Sequence, residues 1–123
     1  MNVQFDFSGR HVMVFGGTTG INLGIAQHYA MAGARVSVAS RKQANVDAAL
    51  ATLGAQAFGV VADVRDEQAV GAALAQAVAC HGPLDVLVSG AAGNFLAPAE
   101  QMSSNAFKVV VDIDLLGSFH VAR

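Results

Sequence analysis

The chain has 123 residues, of which 54% are hydrophobic and 13% are charged, and its net charge is −2. This size predicts one domain, residues 1–123, and the apolar content is enough for a buried core, which argues against a disordered chain. No basic cluster, no signal-peptide pattern and no stretch of about 20 apolar residues is present, so we expect no nucleic-acid partner, no membrane association and a cytoplasmic location. The single cysteine, Cys80, rules out an internal disulfide.

The first predicted strand covers about residues 11–15, and we expect His11 at its start to be solvated. The strand stops abruptly at two glycines, and a helix of 3.6-residue period continues to about residue 32. A strand, a glycine turn and a helix are typical of a nucleotide phosphate site, because a pyrophosphate must approach free backbone amides at a helix N-terminus. The alternative is a tight turn that holds no ligand. The predicted phosphate loop consists of Gly16, Gly17, Thr18, Thr19, Gly20 and Ile21.

The rest of the chain alternates between strands and helices. Strands are predicted at about residues 34–39, 57–62 and 85–88, and helices at about residues 42–53 and 67–81 and from residue 103 or 104 onward. Asp66 is predicted to cap the third helix. Four alternations without an internal repeat predict an α/β fold, with a parallel sheet and helices on both faces. Ligands of such sheets bind beyond the carboxyl ends of the strands.

The end of the second strand carries Ser40, followed by Arg41 and Lys42. A guanidinium suits a ribose 2′-phosphate and a serine can donate to it, whereas an acidic residue at this point would suit free ribose hydroxyls. The pattern therefore favours NADP(H) over NAD(H). The alternative is a pair of solvated basic residues at a helix start.

The third and fourth strands also end in candidate ligand groups. Asp63 is predicted to accept from an adenine amino group or, alternatively, to form a turn. Arg65 is either a surface charge or the partner of an anionic substrate. Residues 89–93 have small side chains, which suits a cofactor lying against the backbone and equally suits a turn shaped only by packing.

Two carboxylates, Asp112 and Asp114, lie in the last predicted helix, about 200° apart around its axis. One of them is therefore expected to be buried or turned to the cleft, as a candidate for proton handling or as a satisfied polar residue. The histidines have no metal-ligand spacing with one another or with Cys80, and we expect no metal site.

Taken together, the residues resemble the short-chain dehydrogenase/reductase family over the whole chain, and within it the 2,4-dienoyl-CoA reductase-like branch. This resemblance rests on Gly16-Gly17-Thr18-Thr19-Gly20-Ile21, Ala62-Asp63-Val64, Leu84-Asp85-Val86-Leu87-Val88, Gly90-Ala91-Ala92-Gly93-Asn94-Phe95, Asn105-Ala106-Phe107-Lys108 and Val111-Asp112-Ile113-Asp114.

The resemblance implies a Rossmann-type, doubly wound sheet and NADPH-dependent hydride transfer to an unsaturated acyl-CoA. By position it implies that Arg41 contacts the 2′-phosphate and that Asp63 with Val64 contacts the adenine. It further implies that Asp114 stands at the catalytic position of the last helix. The remaining implied contacts are Ala91, Ala92 and Gly93 for the cofactor, and Arg65, Phe95 and Ser103 for the acyl-CoA.

The chain departs from the family pattern at several positions. Asn22 stands where the family has its third glycine, Phe15 where it has threonine, and Ser89-Gly90 where it has an asparagine pair. The family's Y-x-x-x-K pair is not found, since the only tyrosine is Tyr29, in the first helix. We therefore expect residues 1–123 to be the cofactor-binding half of a longer enzyme, and to have no reductase activity alone.

Two other functions stay open at this point. The first is a reductase of 3-oxoacyl thioesters or other carbonyls that shares the fold. The second is a non-catalytic nucleotide-binding or interaction module. The resemblance also implies a homo-oligomer that assembles through the long helix beginning near Asn105.

Overall fold

The computed structural model describes residues 3–93 and 96–123. Its strands form one sheet in the order β3-β2-β1-β4, and every neighbouring pair is parallel. The chain therefore builds outward from β1 to β2 and β3, and then crosses to the other side of β1 to form β4. The strands are β1 (His11–Phe15), β2 (Arg35–Ser40), β3 (Phe58–Val61) and β4 (Val86–Ser89).

The helices follow the predicted order. They are α1 (Gly20–Met31), α2 (Gln43–Leu53), α3 (Glu67–His81), α4 (Ser104–Val110) and α5 (Gly117–Ala122). A short 3₁₀ turn, Ala99–Gln101, precedes α4. The predicted boundaries are correct to within about one residue, and β2 is displaced by one, so that Ser40 ends the strand instead of following it.

The last predicted helix is not regular. A wide π-helical turn, Val111–Leu116, separates α4 from α5. Just after this turn, Gly117 lies so close to the chain after β3 that a Cβ on it would be 2.6 Å from Cγ2 of Val64. Glycine is therefore needed where α5 begins to pack on the sheet.

The alternating side chains of β1 divide the core into two layers. Val12 and Val14 pack with Ala26 of α1 and with the valines of β2. Met13 and Phe15 pack on the opposite face with residues of α3 and with Val121 of α5. All four β1 side chains are fully buried. Helices thus cover both faces of a parallel sheet, which confirms the predicted doubly wound α/β fold.

The N-terminus of α3 confirms the predicted cap. The Asp66 carboxylate oxygen Oδ1 accepts from the backbone N–H groups of Gln68 and Ala69 at 3.0 and 3.1 Å. These bonds satisfy two of the amides that have no partner within the helix.

The prediction for His11 is wrong. Its ring is fully buried, with Nδ1 2.8 Å from the carbonyl oxygen of Gly82 and Nε2 2.8 Å from Oγ of Ser37. β1 lies between β2 and β4, and α3 ends directly beneath it, so the start of this strand is not exposed. Because it lies at the amino end of the sheet, His11 serves packing there, and not the cleft at the carboxyl end.

In residues 3–93 and 96–123, no helix combines the length and the apolar character that crossing a bilayer requires.

Candidate functional site

A cleft of about 700 Å³ opens at the carboxyl ends of the strands, where the sheet order changes direction between β1 and β4. This is the place at which open α/β sheets bind their ligands. Most of the predicted site residues converge on it. Its lining includes Gly16, Thr18, Thr19, Gly20, Ile21, Ser40, Arg41, Asp63, Val64, Ala91 and Ala92.

The glycine turn packs directly on the loop after β4. Gly16 has φ +75°, and a Cβ on it would lie 2.8 Å from the backbone nitrogen of Ala91. Its N–H donates to the carbonyl oxygen of Ala39 at 2.8 Å, which ties the turn to β2 as well. Only a residue without a side chain fits at this junction. The turn therefore forms the floor of the cleft from backbone atoms.

The N-terminus of α1 faces this floor. Thr19 stands at the cap position of α1, but its side chain does not accept a hydrogen bond from the helix amides. Within the described part of the chain, the helix N-terminus therefore has no side-chain cap. Thr18 is buried, whereas Ile21 is 84% exposed beside the cleft. Uncapped amides at a helix N-terminus are hydrogen-bond donors for an anion, and the helix dipole adds a positive potential.

The basic end of the cleft lies beyond β2. Ser40 is half-buried as the last residue of the strand, and Arg41 is exposed immediately after it. The positive charge of Arg41 contributes to the lowered pKa of Asp63. Arg41, at the end of β2, therefore interacts electrostatically with a residue at the end of β3. The cleft thus has an uncapped helix N-terminus at its centre and a guanidinium over the β2 side.

Asp63 and Arg65, for which we predicted separate partners, bind each other. The Arg65 Nη2 donates to Oδ2 of Asp63 at 2.6 Å, and Nε lies 3.1 Å from both carboxylate oxygens. This hydrogen bond holds the pKa of Asp63 below its ordinary value, and the backbone N–H of Arg65 adds to the effect. Asp63 therefore stays ionised, and an adenine amino group would share its carboxylate with Arg65.

Two side chains hold the loop after β4. Asn22 donates from Nδ2 to the carbonyl oxygen of Gly90 at 2.8 Å, and Asp114 accepts from the N–H of Gly93 at 2.8 Å. Of the two carboxylates in the last helical segment, Asp114 is thus the one that contacts the loop after β4, and it is exposed rather than buried. Asp112 instead pairs with Lys108, 2.7 Å away.

The predicted substrate residues are not gathered in the cleft. Ser103 caps α4, where its Oγ accepts from the N–H of Ala106 at 3.0 Å. Arg65 lies beside the cleft in its pair with Asp63. Of the residues predicted to bind the cofactor, Gly17 is also absent from the cleft lining, since it is buried beneath the turn, against Val14. Phe95 lies outside the described residues.

The sequence reasoning gave no site role to five residues that line the cleft, namely Asn22, Ala39, Asn45, Ala62 and Ile113. Asn45 lies in the first turn of α2, whereas Arg41 precedes the cap of that helix, so helical spacing does not relate the two residues. Ile113 faces the loop after β4, where its Cδ1 would meet a Cβ on Gly93 at 3.1 Å. No sequence signal reveals that contact.

A larger groove, of about 1160 Å³, lies between residues 3–7 and the outer face of α1. Its walls are mostly apolar side chains, including the exposed Phe5 and Met31. It does not lie at the carboxyl ends of the strands, and the charged or titratable groups that the described part of the chain contributes to it are Asp6, His28 and Tyr29. The smaller cleft is therefore the better candidate site. In residues 3–93 and 96–123, no three metal-ligating side chains come together.

A profile of the family described as short chain dehydrogenase matches residues 10–123. The chain is 37% identical over 118 residues to a peroxisomal 2,4-dienoyl-CoA reductase of Arabidopsis thaliana, across 94% of this chain and 40% of that protein. It spans about two fifths of the length of the curated relatives that it matches.

Two solved structures have the same architecture. One is a 3-ketoacyl-(acyl-carrier-protein) reductase of Brucella melitensis complexed with NADH, with a TM-score of 0.90 and 27% identity, covering 96% of this chain and 49% of that one. The other is an actinorhodin polyketide ketoreductase with NADPH, with a TM-score of 0.88 and 31% identity, covering 98% of this chain and 47% of that one.

Proposed function

The chain belongs to the short-chain dehydrogenase family, and from that membership we propose that it is the dinucleotide-binding part of an NADPH-dependent reductase of unsaturated acyl-CoA thioesters. The observation that carries this proposal is the cleft at the β1/β4 switch point. Its floor is bare backbone at Gly16, and the N-terminus of α1 opens onto it.

The residues present fit a phosphorylated dinucleotide. Gly16 and Gly20 leave backbone amides open to the pyrophosphate, and the cleft extends over β2 to a guanidinium at Arg41. No carboxylate stands at position 40, where one would repel a 2′-phosphate. Asp63, held in place by Arg65, is the acceptor for the adenine amino group.

The acyl-CoA part of the proposal is supported by the names of the relatives, which are 2,4-dienoyl-CoA reductases in several organisms. Arg65 keeps an exposed side chain next to the cleft, so a CoA phosphate can reach its guanidinium while Asp63 holds it from the other side. Ser103 and Phe95 complete the proposed acyl-CoA contacts. The bound cofactor would supply a hydride to the conjugated chain.

Asp114 has a positioning role in this proposal, and a catalytic role follows only if its carboxylate also reaches the substrate. Its Oδ1 fixes the amide of Gly93, and with it the loop that lines the cleft. Asp114→Asn keeps an acceptor oxygen and should preserve NADPH binding, whereas Asp114→Ala should weaken it. A loss of turnover in Asp114→Asn at unchanged NADPH affinity would assign the carboxylate to the chemistry.

The proposal is tested with the natural polypeptide that carries this sequence. NADPH and NADH binding are measured by titration, and turnover of 2,4-hexadienoyl-CoA is followed by the loss of reduced-nicotinamide absorbance. We expect NADPH to bind more tightly than NADH and to be oxidised by the dienoyl-CoA. A protein that binds neither dinucleotide would contradict the proposal and favour a non-catalytic module.

A second candidate is a reductase of 3-oxoacyl thioesters. It is favoured by the solved structures above, which are a 3-ketoacyl-(acyl-carrier-protein) reductase and a polyketide ketoreductase. A 3-oxoacyl-CoA in the same assay separates the two candidates, because only one of the substrates should be turned over efficiently.

We also propose a homo-oligomer. Its support is the exposed apolar side chains of the last helical segment, namely Phe107, Leu115, Leu116 and Phe119. The cytoplasmic location stays a prediction, and it differs from the location in the names of several relatives, which are described as peroxisomal. Size-exclusion chromatography with light scattering measures the oligomeric state, and microscopy of the tagged protein measures its location.

A further inference from the structure

We propose that Asn22 is a positioning residue, which fixes the loop after β4 to the N-terminus of α1 and depends on glycine at position 90 to do so. The inference rests on the proposed function, since the loop formed by residues 90–93 lines the cleft that we assign to the dinucleotide. The contact between Asn22 and Gly90 is separate from the glycine turn and from the basic end of the cleft, on which the proposed function depends.

The contact between the two residues is close and flat. Asn22 donates from Nδ2 to the carbonyl oxygen of Gly90 at 2.8 Å. A Cβ on Gly90 would lie 2.5 Å from each of Cγ, Nδ2 and Oδ1 of Asn22. Three equal distances mean that the carboxamide presents its face to the position that a Cβ on Gly90 would occupy. The side chain of Asn22 therefore occupies the volume that any side chain at position 90 would need.

The acceptor determines how the amide is oriented. A backbone carbonyl oxygen can only accept, so the NH₂ group must face Gly90 and Oδ1 must point elsewhere. Asn22 is half-buried and lines the cleft. It stands in the first turn of α1, where an asparagine more often bonds to its own backbone than to a distant strand. Here it spans 68 positions of the chain to reach the loop.

The loop is held at both ends. At its start, the N–H of Gly90 donates to the carbonyl oxygen of Phe15 at 2.9 Å, and the carbonyl oxygen of the same residue accepts from Asn22. At its end, the N–H of Gly93 is bound by Asp114. Between these ties the backbone of Ala91 packs on Gly16 without room for a Cβ. Freeing Gly90 would let the loop move away from the phosphate loop, and the cleft would widen on its β4 side.

This placement predicts which part of the ligand responds. The residues assigned to the adenosine 2′-phosphate and the adenine, Arg41 and Asp63, follow β2 and β3, whereas the loop follows β4 at the other edge of the sheet. Loosening the loop should therefore weaken the binding of the whole dinucleotide. It should leave adenosine 2′,5′-bisphosphate, which occupies only the β2 and β3 side, nearly unaffected.

The experiment is a double-mutant cycle with Asn22→Ala, Gly90→Ala and the combined variant, made in the natural polypeptide. Asn22→Ala removes the three atoms that a new Cβ at position 90 would strike. Gly90 has no positive φ, so its substitution acts through space alone. Gly71→Ala, at a glycine with open space around it, and Asn105→Ala, at an exposed asparagine, are the matched controls.

We expect Asn22→Ala to raise the NADPH Kd by about fivefold, which is the scale of one lost hydrogen bond. Gly90→Ala should raise it by about tenfold or more, because the new Cβ expels the Asn22 carboxamide from its site. In the Asn22→Ala background, Gly90→Ala should add less than about twofold. The Kd of adenosine 2′,5′-bisphosphate should stay within about twofold throughout, as should the NADPH Kd of both control variants.

Independent effects of Asn22→Ala and Gly90→Ala on the NADPH Kd would overturn the inference, as would an equal loss of affinity for the bisphosphate. If the wild-type protein binds no dinucleotide, the proposed function fails. The same cycle measured on urea midpoints then decides the contact, since a fixed loop requires Gly90→Ala to be destabilising only where Asn22 is present.

Discussion

Gly16→Ala is the substitution that examines the floor of the cleft most directly. Two costs combine at this position. The backbone has φ +75°, which costs an L-residue about 1–2 kcal/mol. The new Cβ would also lie 2.8 Å from the nitrogen of Ala91 and 2.9 Å from its α carbon. Cβ atoms in proteins essentially never approach a neighbouring heavy atom more closely than 3.0 Å. Both of the Ala91 atoms are backbone atoms, which cannot rotate away, so the overpacking should add about 1–3 kcal/mol.

Gly20→Ala is the matched control, because it shares the first cost without the second. Gly20 has φ +58°, and open space surrounds the position of its Cβ. We expect Gly16→Ala to lower the free energy of unfolding by about 2–5 kcal/mol and Gly20→Ala by about 1–2 kcal/mol. Urea denaturation of the natural polypeptide measures both. Equal losses in the two variants would refute the close packing of the turn on Ala91.

Three further predictions address the cofactor, the helix cap and pH. Arg41→Ala should weaken NADPH binding by about tenfold or more while the NADH Kd changes less than about twofold; Lys42→Ala is the control, and equal losses for both cofactors would contradict the 2′-phosphate assignment. Asp66→Ala should cost about 1 kcal/mol in urea denaturation and Asp66→Asn much less; equal costs would argue against the cap. Burial, followed by electrostatic interactions with His11 and Arg35, lowers the pKa of His81. Its contribution to stability is therefore complete above the unfolded-state pKa of about 6.5 and is lost as the pH falls below it. Urea midpoints measured between about pH 7.5 and 5.5 should fall in the wild type, and they should fall less steeply in His81→Asn. Parallel curves for the two proteins would refute this.

Much of the architecture could be predicted because its signals are local. The apolar run before Gly16, the period of α1 and the cap at Asp66 each lie within a few residues of one another. The pairing of Asp63 with Arg65 was also within reach, since an aspartate commonly binds the backbone N–H two residues ahead. The predicted alternative of a turn at Asp63 agrees with this backbone hydrogen bond, whereas the contact between the two side chains was not predicted.

The burial of His11 could not be predicted in the same way. A histidine at the start of a strand is ordinarily solvated, and nothing in its neighbourhood along the chain indicates otherwise. Its two partners come from β2 and from the residue after α3, so its environment exists only once both have packed beside β1. The choice of Asp114 over Asp112 as the residue that binds the loop after β4 has the same origin, because it depends on where the π-helical turn meets Gly93.

The sequence by itself determined the order of strands and helices, the glycine turn between β1 and α1 and the basic residues after β2, because hydrophobic period, caps and glycine turns act over a few neighbouring residues. Only the tertiary structure decided how these parts make a cleft. The close approach of Gly16 to Ala91, the hydrogen bond from Asn22 to Gly90 and the one from Gly93 to Asp114 each join segments far apart in the chain. Such contacts are set by the positions of whole elements in space, which no local pattern records.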